Sequence, residues 1–200
     1  PVPQDEISGL LVRLALEGKN VVRLKGGDPY VFGRGGEEAA ALAEAGVPFE
    51  IVPGVTAGIA VPACAGIPVT FRRQAVRLSL VTAHEAVKTP GPQVRWDLLA
   101  QDPHATLVGY MGVTALGSVV EQLVAAGLDP APPAAMIRHG TTSAQRVIRA
   151  PVAKLPAAVR DAGLEPPALF VIGRTVAHAD QLDGVATRPL FGRRVLTISP

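Results

Sequence analysis

The sequence predicts an α/β protein, and three observations carry that expectation. Residues 21–65 run strand, glycine loop, helix and then strand, loop, helix again. Residues 78–173 repeat the theme, with short β-branched runs set between segments of helical periodicity. Hydrophobic residues make up 48% of the chain but aromatics only 4%, so the core has to be assembled from Ala, Val, Leu and Ile in layers.

Taken in order, Ile7, Leu10, Leu11 and Leu14 follow the i, i+3, i+4, i+7 spacing that puts all four on one helical face, and Gly18 follows as a cap, which predicts a helix over 5–17. VVRL at 21–24 reads as a strand emptying into GGDP. EEAAALAEAG at 37–46 reads as a helix with Glu37 and Glu38 in its first turn, where they suit the helix dipole. FEIV at 49–52 is the next expected strand, followed by Pro-Gly and an apolar helix over 56–65. Two such units in succession predict a parallel sheet with its loops at one edge.

The basic, Pro-containing stretch GIPVTFRRQ breaks this alternation, and a domain boundary is expected near residues 70–73, dividing the chain into 1–72 and 73–200. Beyond it, strands are expected at 78–82, 105–111, 134–138, 145–152 and 168–173, with helices at 114–127 and near 154–162. QRVIRA alternates polar with apolar residues, as an antiparallel strand with one wet face would, so the second sheet is expected to be mixed. Residues 85–95 and 129–133 read as surface loops.

Composition narrows the function. A net charge of +2 without any block of like charges argues against a dedicated nucleic-acid binder. The single cysteine, Cys64, leaves no intramolecular disulfide framework and no cysteine cluster for a metal, reads as core, and fits a cytoplasmic setting. The longest apolar run, residues 55–69, is shorter than the roughly 20 residues of a membrane span and is interrupted by Gly and Pro. No secretory signal opens the sequence.

Four loops of small residues are expected to leave strands at the edge where open α/β sheets bind ligands: GGDP, PGVTAG, MGVT and HGTTS. Each one alone reads more readily as a plain turn. Together they offer close backbone approach at Gly26 and Gly27, hydroxyls at Thr56 and Thr141, and at Asp28 a carboxylate able to accept from an amino group or to cap a turn. Neither a P-loop nor a dinucleotide fingerprint is present between strand and helix.

The stretch RLKGGDPYVFGRGGEE at 23–38 closely resembles the signature of the uroporphyrinogen-III C-methyltransferases, enzymes of the tetrapyrrole methylase type that use S-adenosylmethionine. The resemblance continues through VPQDEI at 2–7, residues 44–70, YMG at 110–112, HGTT at 139–142 and PLFGRRV at 189–195. It implies two α/β domains with the cofactor in the cleft between them, a homodimer, and cofactor contacts at Gly26, Gly27, Asp28, Val31, Thr56, Ala57, Met111 and Gly140. It implies uroporphyrinogen III as substrate and methylation at C-2 and C-7 to give precorrin-2, on the way to sirohaem or cobalamin. Arg34, Arg72, Arg73 and Arg138 could pair with substrate carboxylates or be solvated surface residues; His84 and His139 flank the implied cleft and read more readily as hydrogen-bonded scaffold than as catalysts.

The chain departs from that family at Phe71, where a His is usual, and in TAH at 82–84, where TGH is usual. The family's opening strand, its GPGD loop and the segment bearing the residues assigned to proton transfer have no counterpart here, so no catalytic residue is assigned. Two further readings stand beside the enzyme: a module that binds cofactor or tetrapyrrole without turnover, and a structural paralogue.

Overall fold

The computed structural model describes residues 2–83, 93–184, 189 and 191–193. His84, part of PLFGRRV and most of the loop expected at 85–95 lie outside the described residues. Contacts divide the chain into two compact units, Pro1–Ala57 and Gly58–Pro200, a division that falls ahead of the boundary expected near residues 70–73.

The first unit packs helix α1 (Gln4–Leu16) on helix α2 (Gly35–Glu44). The periodic face of α1 is only partly covered: Leu11 is buried, whereas Leu10 is 43% exposed. After α1, Gly18 adopts a left-handed φ of +81° and Lys19 N donates back to Leu14 O at 3.2 Å, which stops the helix where the sequence predicted.

The two strands expected in this unit do not form. Residues 21–24 and 49–52 are irregular, and among the described residues none of their backbone amides finds a backbone partner. A β-branched sequence becomes a strand only when a neighbouring ladder takes up its N–H and C=O groups. Here both segments line a hollow of about 660 Å³ floored by Leu11, Ala15, Ala39 and Leu42. Val22, Leu24 and Val52 stand 88%, 84% and 72% exposed as a result.

Side chains hold this unit instead. Glu38, buried on α2, accepts from Gln4 Nε2 at 3.1 Å, Lys25 Nζ at 3.2 Å and Arg23 Nε at 3.3 Å, tying α1, α2 and residues 23–25 together. Burial pushes the Glu38 carboxyl up, but the Gln4 and Lys25 hydrogen bonds and the charges of Lys25 and Arg23 outweigh it, so the group is held below the usual carboxylate range.

The second unit opens with most of helix α3 (Ala57–Cys64) and is built on one mixed sheet. Its strands are β1 (Arg77–Thr82), β2 (Ala105–Tyr110), β3 (Pro133–Arg138), β4 (Arg146–Pro151) and β5 (Ala168–Ile172), in the order β1-β2-β5-β3-β4. Only β1 and β2 run parallel; β5 lies between β2 and β3 and is antiparallel to both, as β4 is to β3. The mixed sheet agrees with the alternation of β4, whose burial alternates only in part because it is an edge strand.

Helices α4 (Trp96–Leu99), α5 (Leu116–Ala125), α6 (Leu155–Asp161) and α7 (Ala179–Leu182) complete the unit. Leu116, Val119, Val120 and Leu123 of α5 are buried with Met136 and Phe170 in one core cluster, so the helical periodicity of 114–127 marks the packed face.

Glu38→Gln is expected to cost about 2 kcal/mol, because two cations lose a charged acceptor in a buried place. A carboxyl held low in the folded state stabilises it above the unfolded-state value, and that contribution is lost as pH falls through the folded value. Urea titrations should therefore show the gap between wild type and Glu38→Gln narrowing between about pH 5 and pH 3.

Candidate functional site

The first unit brings the residues singled out at 26–31 against those at 54–57. Gly27 takes a left-handed φ of +76°. A side chain on it would meet Ala57 N at 3.6 Å and Thr56 Cα at 3.7 Å. Gly26 next to it is exposed, with nothing within 4 Å of where a Cβ would lie, so its peptide is open to an approaching molecule.

Asp28 joins the two turns. Its Oδ1 accepts from Tyr30 N at 2.8 Å and its Oδ2 accepts from Gly54 N at 3.1 Å. Of the two roles the sequence left open for this carboxylate, turn capping is the one observed. Val31 is half-buried, with its N–H on Asp28 O at 3.3 Å.

Beyond this turn, Phe32 and Arg34 carry positive φ angles of 52° and 57° as the chain swings into α2. Arg34 forks onto Glu37 at 2.8 and 2.6 Å, and that hydrogen bond holds the Glu37 carboxyl below its usual range. The pair is exposed, so its weight in stability is small.

In the second unit, the turns after β2 and β3 lean on α3. Gly58 N donates to Tyr110 Oη at 2.6 Å, which pins the start of α3 beside the YMG turn. Met111 follows with φ +54° and is 52% exposed, so it does not fill the core. Gly140 packs on Val61 of α3, whose methyls occupy the space a Cβ would need.

His139 and Thr141 flank Gly140 with φ +49° and +69°; Thr142 Oγ1 donates to His139 O at 2.7 Å, and Gln145 Nε2 donates to Cys64 O at 3.0 Å. His139 thus serves the scaffold through its carbonyl, and Cys64 is half-buried.

Six non-glycine residues among those described adopt positive φ, and five of them, all except Arg73, lie in the segments 23–38, 110–112 and 139–142. Strained backbone of this kind persists where the surroundings over-determine it and clusters at ligand sites. Arg72 and Arg73 are exposed and without an ion partner among the described residues, whereas Arg138 lies 3.5 Å from Glu165. Sequence reasoning missed Gly54, Val61 and Tyr110, each of which acts through a contact distant in sequence. Pro-Gly at 53–54 was the one local signal.

The chain belongs to the tetrapyrrole (corrin/porphyrin) methylases, which it matches over residues 1–156. Its relatives include the siroheme synthases of Methylobacillus flagellatus, 45% identical over 94% of this chain and 40% of that protein, and of Methylococcus capsulatus, 46% identical over 90% and 38%. The chain therefore spans about 40% of the length of these curated relatives.

Among solved structures it resembles the uroporphyrin-III C-methyl transferase of Thermus thermophilus complexed with S-adenosylhomocysteine, with a TM-score of 0.72 and 37% identity over 87% of this chain and 74% of that one. A cobalt precorrin-4 methyltransferase gives a TM-score of 0.77 at 28% identity, covering 88% and 72%. No described helix is long and apolar enough to cross a membrane.

Gly140→Ala is expected to destabilise the chain by about 1 to 3 kcal/mol through overpacking against Val61. In a double-mutant cycle monitored by urea unfolding, Gly140→Ala with Val61→Ala should lose less than the sum of the single changes.

Proposed function

We propose that this chain carries the methyl-transfer activity of the uroporphyrinogen-III C-methyltransferases, moving methyl groups from S-adenosylmethionine to C-2 and C-7 of uroporphyrinogen III to give precorrin-2. The observation that carries the reading is the set of tight turns with positive φ at Gly27, Met111, His139 and Thr141, on a chain 37% identical to a transferase complexed with S-adenosylhomocysteine. The proposed cofactor contacts are Gly26, Gly27, Asp28, Val31, Thr56 and Ala57 in the first unit and Met111 and Gly140 in the second. A cytoplasmic homodimer belongs to the same reading, and the relatives point to sirohaem with cobalamin as a second destination.

The residues present fit such a cofactor. Gly26 leaves its peptide open, Gly27 holds a fold of chain that side chains resist, and Met111 is an exposed apolar residue. When bound, S-adenosylmethionine supplies an activated methyl group for an in-line displacement. The chain's own contribution is positioning: the open peptide at Gly26 offers polar backbone to a ligand, and fixed turns would hold reacting atoms in line.

Of the four arginines considered for substrate carboxylates, Arg72 and Arg73 are the proposed partners, since Arg34 is forked onto Glu37 and Arg138 sits beside Glu165. A second reading, binding without turnover, is favoured by the unpaired segments 21–24 and 49–52, which leave the first unit without a sheet.

Calorimetry with S-adenosylhomocysteine, run beside a turnover assay on uroporphyrinogen III, separates the two. Binding together with a methylated product is expected for the enzyme, binding alone for the module, and neither would sink both readings. Arg72→Ala with Arg73→Ala should raise the substrate KM about tenfold while leaving affinity for S-adenosylhomocysteine unchanged. Equal losses of both would remove these arginines from the substrate side.

A further inference from the structure

We infer that the Asp28 side chain is a positioning residue, which sets the first glycine turn against the second, so that the contact proposed above at Asp28 is made by its backbone and not by its charge. Both of its oxygens are already engaged with backbone amides. One bond, to Tyr30 N, closes a turn within residues 28–30; the other spans 26 positions of sequence to Gly54 N.

The place where that second bond lands gives it leverage. Gly54 lies so close to Gly27 that a Cβ on it would run into the Gly27 carbonyl oxygen, and Gly27 in turn sits against Val55, Thr56 and Ala57. The seat formed by Gly26 and Gly27 and the one formed by Thr56 and Ala57 are thus fixed relative to each other across a backbone-to-backbone contact. One carboxylate holds that contact shut.

No ladder shares the task. Residues 21–24 and 49–52, which lead into the two turns, make no backbone hydrogen bond to one another among the described residues. Hydrogen bonds from amides to an ionised carboxylate are roughly twice as strong as neutral ones, which suits a single side chain standing in for a pair of strands. Because Asp28 is half-buried and Gly54 is exposed, the freed amides can turn to water. Losing the carboxylate should therefore loosen the turns without unfolding the unit.

In its functional half the inference rests on the cofactor reading above; its structural half does not. A carboxylate directed at the ligand would favour the sulfonium of S-adenosylmethionine over the uncharged sulfur of S-adenosylhomocysteine. It would also favour the ammonium of both over methylthioadenosine, which lacks the amino-acid portion. A carboxylate that only holds two turns together treats all three alike.

The test uses the whole chain with Asp28→Ala and Asp28→Asn, measuring amide hydrogen exchange residue by residue and calorimetric affinity for those three molecules. Asp28→Ala is expected to speed exchange at Tyr30 and Gly54 about tenfold, to leave β2 and β3 unchanged, and to weaken all three ligands by one common factor of about ten. Asp28→Asn keeps a single acceptor oxygen, so it should restore protection at one amide only and recover part of the affinity for every ligand.

A loss concentrated on S-adenosylmethionine, or one absent for methylthioadenosine, would overturn the inference, as would unchanged exchange at both amides. Should the unaltered chain bind none of the three, the cofactor reading fails and exchange alone decides: acceleration at Tyr30 and Gly54 upholds the positioning role, and its absence refutes it.

Discussion

Backbone N–H and C=O groups have to be given partners, and the two units of this chain meet that demand in different ways. In the second unit a five-stranded ladder does so, with β5 shared between β2 and β3. In the first unit two carboxylates take the place of a ladder. Glu38 gathers Gln4, Lys25 and Arg23 beneath the glycine turn, and Asp28 fastens that turn to Gly54. The geometry of the candidate site in this unit depends on these few charged hydrogen bonds.

Helices were the most legible elements in the sequence. Their signal is local, so α1, α2 and α5 stand within about two residues of where periodicity put them. Strands β1 to β5 were legible for the same reason once a sheet existed to receive them. Residues 21–24 and 49–52 carry an equally good strand pattern and stay irregular, because strand formation depends on a partner and none stands beside them among the described residues. The order of the sheet was beyond sequence reasoning: nothing in ALFVI says that β5 inserts between β2 and β3.

The candidate site was legible as a set of small-residue turns and illegible in its supports. Gly26, Gly27, Met111 and Gly140 stand out by residue type and by resemblance to a known signature. That Met111, His139 and Thr141 would adopt left-handed backbone could not be foreseen, since such angles are rare outside glycine and are imposed by tertiary contacts. The supports of the turns are contacts far apart in sequence: Gly54 with Gly27, Gly140 with Val61, and Tyr110 with Gly58. Asp28 illustrates the limit well. Its residue type allowed a turn-capping role, but the amide it caps, Gly54 N, lies 26 positions away.

On the proposed reading this chain's described residues act by holding backbone in place, and a direct view of the occupied turns is the most searching test. A crystal structure of the chain with S-adenosylhomocysteine is predicted to show the ligand against Gly26, Gly27, Met111 and Gly140, with the Asp28 carboxylate still on the amides of Tyr30 and Gly54. Ligand density away from these turns, or a carboxylate swung over to the ligand ammonium, would contradict the account.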